Sequence, residues 1–245
     1  MLTGPTELSG PLIEITGLSK NYLGLRPLRI QRLTIDEGEH VAILGLDQAM
    51  AETFINLVTG ATLPERGAVT IFGRTTASID ESAEWLTLVD RFGVVSERAV
   101  LLEALSVIQN LAMSFTLEIE PPAEDVRARA AMLAQEMRLP DRQWSRAVSE
   151  LDAEARARLR AARALALDPK VLLLEHLGAG LPRDAATAIG SDIREAAARR
   201  GSALVALTAD REFAAAVAGR VLVHEPVTGK LAPGTGRWLD RLFRG

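Results

Sequence analysis

The sequence predicts an α/β fold: a parallel sheet with an α-helical subdomain inserted into it. Three observations predict this. Val41-Ala42-Ile43-Leu44-Gly45 is short, apolar, β-branched and closed by a glycine, and it leads at once into a helical stretch, Ala49 to Leu57 or beyond. Val171-Leu172-Leu173-Leu174 is apolar at every position, as a strand covered on both faces must be. Strand-like and helix-like stretches then alternate through the second half, the pattern of a parallel sheet.

Residues 1–10 hold Gly4, Pro5 and Gly10 and read as a loose terminus. Leu12 to Thr16 and Leu28 to Ile35 alternate apolar with polar residues, as half-buried strands do. Asp36-Glu37-Gly38-Glu39 turns the chain into the strand from His40 to Leu44. Ala68 to Phe72 is a further strand, ending on the turn residue Gly73. Ile79 to Arg91 reads as a helix with Trp85, Leu86 and Val89 as its apolar stripe, and Gly93 to Ser96 as a short strand. From about 97 to 150 the pattern is helical, with a break at Pro121-Pro122; Asp125 to Met137 has the composition of a good helix. A helix from near Asp152 to Leu167 is stopped by Asp168-Pro169. After the Val171 strand come a helix from Asp184 to Arg200 closed by Gly201, a strand from Ala203 to Leu207 and a helix from Arg211. Arg220 to His224 and Lys230-Leu231 flank a turn at Thr228-Gly229, and a basic helix, Arg237 to Arg244, falls within 236–245.

Composition narrows the function. A formal charge of −4 and a sequence pI of 5.6 argue against a nucleic-acid binder, which is usually basic. The absence of cysteine excludes disulfides and thiolate metal sites. His40, His176 and His224 are far apart and form no metal motif, so no metal site is expected. Ala99 to Phe115 carries Glu103, Gln109 and Asn110 and makes a poor membrane span. No signal peptide precedes the first strand, so a cytoplasmic protein is expected.

A strand, a tight loop and a helix N-terminus are the geometry that cradles a phosphate. The phosphate-loop pattern G-x-x-x-x-G-K-[ST] puts its first glycine at Gly45, its second at Met50, its lysine at Ala51 and its magnesium hydroxyl at Glu52. Only Gly45 fits. Ala162-Arg163-Ala164-Leu165-Ala166-Leu167-Asp168-Pro169-Lys170-Val171-Leu172-Leu173-Leu174 resembles the join between the signature helix and the Walker B strand of the ATP-binding subunits of ABC transporters. Leu18-Ser19-Lys20-Asn21-Tyr22 looks like the segment that bears that family's adenine-stacking aromatic. Leu101 to Ala112 looks like the start of its helical subdomain, with a leaning toward the lipid- and lipoprotein-exporting branches. The resemblance covers about 11–235. It implies a P-loop NTPase-like parallel sheet core, an N-terminal antiparallel β part and a helical subdomain facing a membrane permease.

The same resemblance puts the cofactor site, for ATP and Mg²⁺, on Tyr22 and on Gly45, Asp47, Gln48, Ala49, Met50, Ala51, Glu52 and Thr53. The glutamine-loop position is Glu97. The signature reads Leu151-Asp152-Ala153-Glu154-Ala155. The Walker B aspartate is Glu175, the catalytic glutamate His176 and the switch histidine Ala209, between Thr208 and Asp210. Gln48 and Met50 resist the positive φ that glycine supplies freely. Ala51 removes the cation, and Asp47 and Glu52 add anions beside a triphosphate. One like-charge pair at ~5 Å, with effective ε ~20, costs about 3 kcal/mol. Asp152 and Glu154 suit the dipole of the signature helix but occupy the end that a partner's γ-phosphate needs.

Individual residues keep two readings. His176 reads as a general base or as the filler of an idle site, and the second is favoured because no magnesium-bound phosphate is expected beside it. Glu175 reads as a magnesium ligand one methylene too long, and Tyr22 as an adenine stack or a packed surface aromatic. Arg156, Arg160 and Arg163 share one helix face and read as a solvated face or as a hold on an acidic partner. Asp210 reads as a helix cap. The expected function is that of a catalytically degenerate ATP-binding-type subunit, peripheral on the cytoplasmic face. It would be the structural or regulatory partner of a membrane permease, or of a second ATP-binding subunit. ATP and Mg²⁺ are expected only if the site works. The alternative is an active or weakly active ABC-type ATPase that powers export of lipid, lipoprotein or another substrate.

Overall fold

A computed structural model describes residues 10–22 and 24–234. The terminus expected over 1–10, except Gly10, and the C-terminal helix expected over 236–245 lie outside the described residues.

The chain begins with β1 (Ile13–Lys20), β2 (Leu28–Ile35), β3 (His40–Leu44), α1 (Gln48–Val58), β4 (Arg66–Ile71) and β5 (Arg74–Thr75). It continues through α2 (Ser82–Val89), β6 (Phe92–Val95), α3 (Val107–Ala112), α4 (Glu124–Glu136) and α5 (Ala153–Ala164). It closes with β7 (Val171–Glu175), α6 (Arg183–Arg200), β8 (Ala203–Thr208), α7 (Arg211–Val217), β9 (Arg220–Glu225) and β10 (Lys230–Pro233). β2, β1, β4 and β5 form an antiparallel sheet in that order. A second sheet runs β10-β9-β3-β8-β7-β6, parallel throughout except for β10 at its edge.

The central strands are apolar on both faces because both are covered. Val41 and Ile43 of β3 join the core shared with α1 and the antiparallel sheet, while Ala42 and Leu44 join the core shared with α5, α6 and α7. β7 divides in the same way, with Val171 and Leu173 on one side and Leu172 and Leu174 on the other. A slip of one residue would exchange the two sets, so the register is strongly specified.

Between β6 and β7, two neighbours in the sheet, the chain inserts α3 and α4. Ser106 opens α3 with a reciprocal capping box to Gln109. Asn110 is fully buried; its Nδ2 donates to the carbonyls of Leu102, Leu105 and Ser106, and its Oδ1 accepts from Leu102 N–H. One amide side chain thereby fixes the loop that leads into the helical segment.

Three elements differ from the sequence expectation. The helix expected over Ile79 to Arg91 is only α2, and its buried position is Leu88, whereas Leu86 is exposed. Trp85 turns toward the end of α1, its Nε1 donating to Thr59 O. α5 ends at Ala164 rather than Leu167: Pro169 disfavours helical backbone before it, and Asp168 takes a left-handed φ of 52°. The face of Arg156, Arg160 and Arg163 is not a solvated one. Arg156 grips Glu103 in a bidentate pair at 2.6 and 2.9 Å, and Arg163 donates to Val100 O.

Candidate functional site

Only Gly45, Leu46 and Asp47 lie between β3 and α1. The motif's pattern needs a longer loop, but Gln48 and Ala49 are already helical. Gly45 has a φ of 92°, and a Cβ there would meet His224 O at 3.2 Å, so this turn needs glycine. Asp47 caps α1: its Oδ1 accepts from Met50 N–H at 2.8 Å, and its carbonyl accepts from Ala51 N–H. A donor that would face a phosphate is thus held by a side chain of the same turn.

The remaining motif positions divide in two. Leu46, Met50 and Ala51 turn into the apolar core with Phe54, Ile55 and Leu57. Ala49 is exposed, and Thr53 returns its hydroxyl to Ala49 O at 2.7 Å. Gln48 and Glu52, one helical turn apart, point to the end of β7. There Gln48 Nε2 donates to Glu175 Oε1 at 2.6 Å. The Glu175 side chain is 0% exposed.

The charge opposite Glu175 comes from a residue that the motifs do not include. Arg98 follows β6 by three residues. Its Nη2 and Nε donate to Glu175 Oε2 at 2.8 and 3.3 Å, and its Nη1 donates to Glu52 Oε1 at 2.7 Å. One guanidinium therefore bridges the carboxylate in the Walker B position and the carboxylate in the position of the magnesium hydroxyl. Both pairs are charge-assisted, and the contact with Glu175 presents two N–H groups to one oxygen. The bridge is a crosslink between α1, β7 and the segment after β6. Both carboxylates in the positions that would face a metal ion hold the Arg98 guanidinium in this structure. Among the described residues, no group of three or more His, Asp or Glu is placed to hold a metal ion.

The other expected positions do not join this cluster. Glu97, next to Arg98, is exposed. His176 has a left-handed φ of 46°, its N–H donates to Leu207 O, and its ring Nε2 is buried without a hydrogen-bond partner among the described residues. Ala209 is exposed on the turn after β8, and Asp210 caps α7 by accepting from Glu212 and Phe213 N–H. Tyr22 is partly buried, and burial first and the Asp47 charge second raise its phenol above the ordinary tyrosine range. At the signature helix, Asp152 caps α5 through Ala155 N–H at 2.8 Å, and Glu154 pairs with Arg158 at 3.0 Å. Arg158 also reaches the buried Asp192 at 2.6 Å. The acidic residues expected to stand as free anions are therefore engaged: Asp47 and Asp152 as caps, Glu52 and Glu154 in ion pairs. The ~3 kcal/mol repulsion expected between such a carboxylate and a triphosphate falls for Glu52, whose charge Arg98 balances.

A family model described as ABC transporter matches residues 28–176. The methionine import ATP-binding protein MetN of Brucella abortus (strain 2308) is 28% identical over 219 residues, which is 89% of this chain and 58% of that protein. The chain thus spans little more than half the length of that relative. The lipoprotein-releasing system ATP-binding protein LolD of Alcanivorax borkumensis is 28% identical over 228 residues, 91% of this chain and 99% of that protein. Among solved structures, cbiO1 from Clostridium perfringens, part of the ABC transporter complex cbiONQ, superposes with a TM-score of 0.76 at 21% identity. It covers 91% of this chain and 87% of its own. That likeness shows the fold.

Proposed function

The chain belongs to the ABC transporter family, and on that premise we propose that it is an ATP-binding-type subunit whose nucleotide site is closed by its own side chains. Its role is that of a structural or regulatory partner of a membrane permease rather than an ATPase. The observation that carries this reading is the Arg98 bridge between Glu52 and the buried Glu175. That guanidinium joins the residues in the family's Walker B and magnesium-hydroxyl positions, and it is part of the chain. No helix among the described residues is long and apolar enough to cross a membrane, which agrees with a subunit held at the cytoplasmic face by a permease. The helical segment, about 97–150, would be the part that meets the permease.

This reading sets the behaviour of a dimer. In the family, nucleotide lies between one subunit's phosphate loop and the other's signature. Here both halves of that site are occupied by internal pairs, so Mg-ATP has nothing to join. Sedimentation velocity at neutral pH should give the same distribution with and without millimolar Mg-ATP. A nucleotide-dependent shift from monomer to dimer of this chain alone would remove the reading and put the active ATPase in its place.

A further inference from the structure

We infer that a cavity in the helical segment binds a small zwitterion with an apolar body, the chemical class of a free apolar amino acid. The cavity lies between the first turn of α3, the turn at Pro121-Pro122, the start of α4 and the chain around Trp144. It shares no residue with the Arg98 bridge.

Its apolar wall is made by Ile108, Pro121, Pro122 and Trp144. Its volume is about 340 Å³, within the roughly 300–1,000 Å³ of small-molecule sites. The wall is held from behind. The Trp144 indole N–H donates to Leu139 O at 3.0 Å, so the ring surface is what remains for a ligand. The Ile108 N–H donates to Trp144 O and ties two sides of the cavity together. Gln109 ties the third: its Oε1 accepts from Ser106 N–H, and its Nε2 donates to Ile119 O, beside the bridge from Ile119 to Pro122. A site fixed in this way loses little freedom when it is filled.

Two charges of opposite sign line the same cavity, Arg127 and Asp141. Neither side chain has an ion pair or a hydrogen bond among the described residues, and they do not pair with each other. The adjoining groove is different, for there Arg138 and Arg158 hold Asp192, and Arg158 also holds Glu154. A simple anion in the cavity would meet Asp141, and a simple cation would meet Arg127. A neutral apolar molecule would cover both charges and satisfy neither. A molecule with a carboxylate, an ammonium and an apolar body satisfies all three walls. Its carboxylate takes the fork of Arg127. Its ammonium takes Asp141 and the face of the indole, which attracts cations. Its body covers Ile108 and the two prolines.

The test is a ligand-observed NMR titration of the full-length protein with L-phenylalanine and L-leucine. At least one should saturate with a dissociation constant of about 1 mM or tighter. Phenylalaninamide lacks the carboxylate and N-acetylphenylalanine lacks the ammonium, and each should bind at least about tenfold more weakly than phenylalanine. Arg127→Gln should weaken phenylalanine about tenfold and leave the amide unchanged, and Asp141→Asn should weaken phenylalanine about tenfold and leave the N-acetyl compound unchanged. Both side chains lack partners in the fold, so neither variant should shift the melting temperature. The inference is overturned if neither amino acid saturates below about 10 mM. It is also overturned if the two analogues bind the wild type as well as phenylalanine does, a comparison that needs no variant. Losses that ignore which charge the ligand carries overturn it as well, since they would mean apolar contact alone. Mg-ATP binding is measured separately, and its outcome leaves this one unaffected.

Discussion

Replacing Ala51 by lysine lowers stability by about 3–5 kcal/mol and restores no nucleotide binding. Motif logic alone argues the reverse, since Ala51 holds the position of the phosphate-loop lysine. The structure gives that position another task. Ala51 is 0% exposed and belongs to the apolar core with Met50, Phe54 and Leu57. A lysine there overfills a packed interior, typically at about 1–3 kcal/mol, and carries an ammonium out of water. Its nearest relief is to lose the proton, which removes the charge that it was meant to supply. Thermal unfolding should show a midpoint lower by roughly 6–20 °C. A variant as stable as the wild type that binds ATP at micromolar concentration would show that the lysine was the only missing part.

Arg98→Ala costs less but speaks more directly to the bridge. Glu175, with its side chain 0% exposed, then keeps Gln48 Nε2 and loses the only cation paired with it among the described residues. Removing one partner of a buried pair commonly costs about 3–5 kcal/mol. Arg98 is 44% exposed, so about 2–3 kcal/mol is expected. Adding Glu175→Gln should return most of that loss, because the stranded charge is gone. Glu52→Gln alone should cost at most about 1 kcal/mol, since both sides of that pair meet solvent. Denaturant titration of the four proteins resolves these differences. An Arg98→Ala variant within about 0.5 kcal/mol of the wild type would mean that the guanidinium does not hold Glu175.

Much of the fold was legible in the sequence because its strands are buried on both faces and read as unbroken apolar runs. β2 and β3 fall where the alternation and the apolar run put them, and α6 ends at Gly201, which adopts φ 64°. The boundaries that failed are those decided by packing. Periodicity could not tell Leu86 from Leu88 on a helix of barely two turns that touches the core at one point. The site was half legible. The substitutions at Ala51, Glu52 and Glu175 announce that the usual cation is missing and that carboxylates have gathered. They do not say what neutralises them, because Arg98 lies 46 residues from Glu52 and 77 from Glu175. One signal was present: a carboxylate at the Walker B position and another in the phosphate loop, with the lysine lost, require a cation from elsewhere. That cation is Arg98, next to Glu97 in the glutamine-loop position. The cap role of Asp47 was hidden for a simpler reason, since the motif pattern assigns that residue to a loop and α1 begins directly after it.

The central claim is that this cassette holds its own arginine in place of a metal-bound nucleotide. Isothermal titration of the purified protein with ATP and excess Mg²⁺ at neutral pH tests it most directly. The account predicts no saturable heat up to millimolar ATP, a dissociation constant weaker than about 1 mM and hence less than about 4 kcal/mol of binding. A micromolar dissociation constant with magnesium-dependent release of phosphate would contradict it.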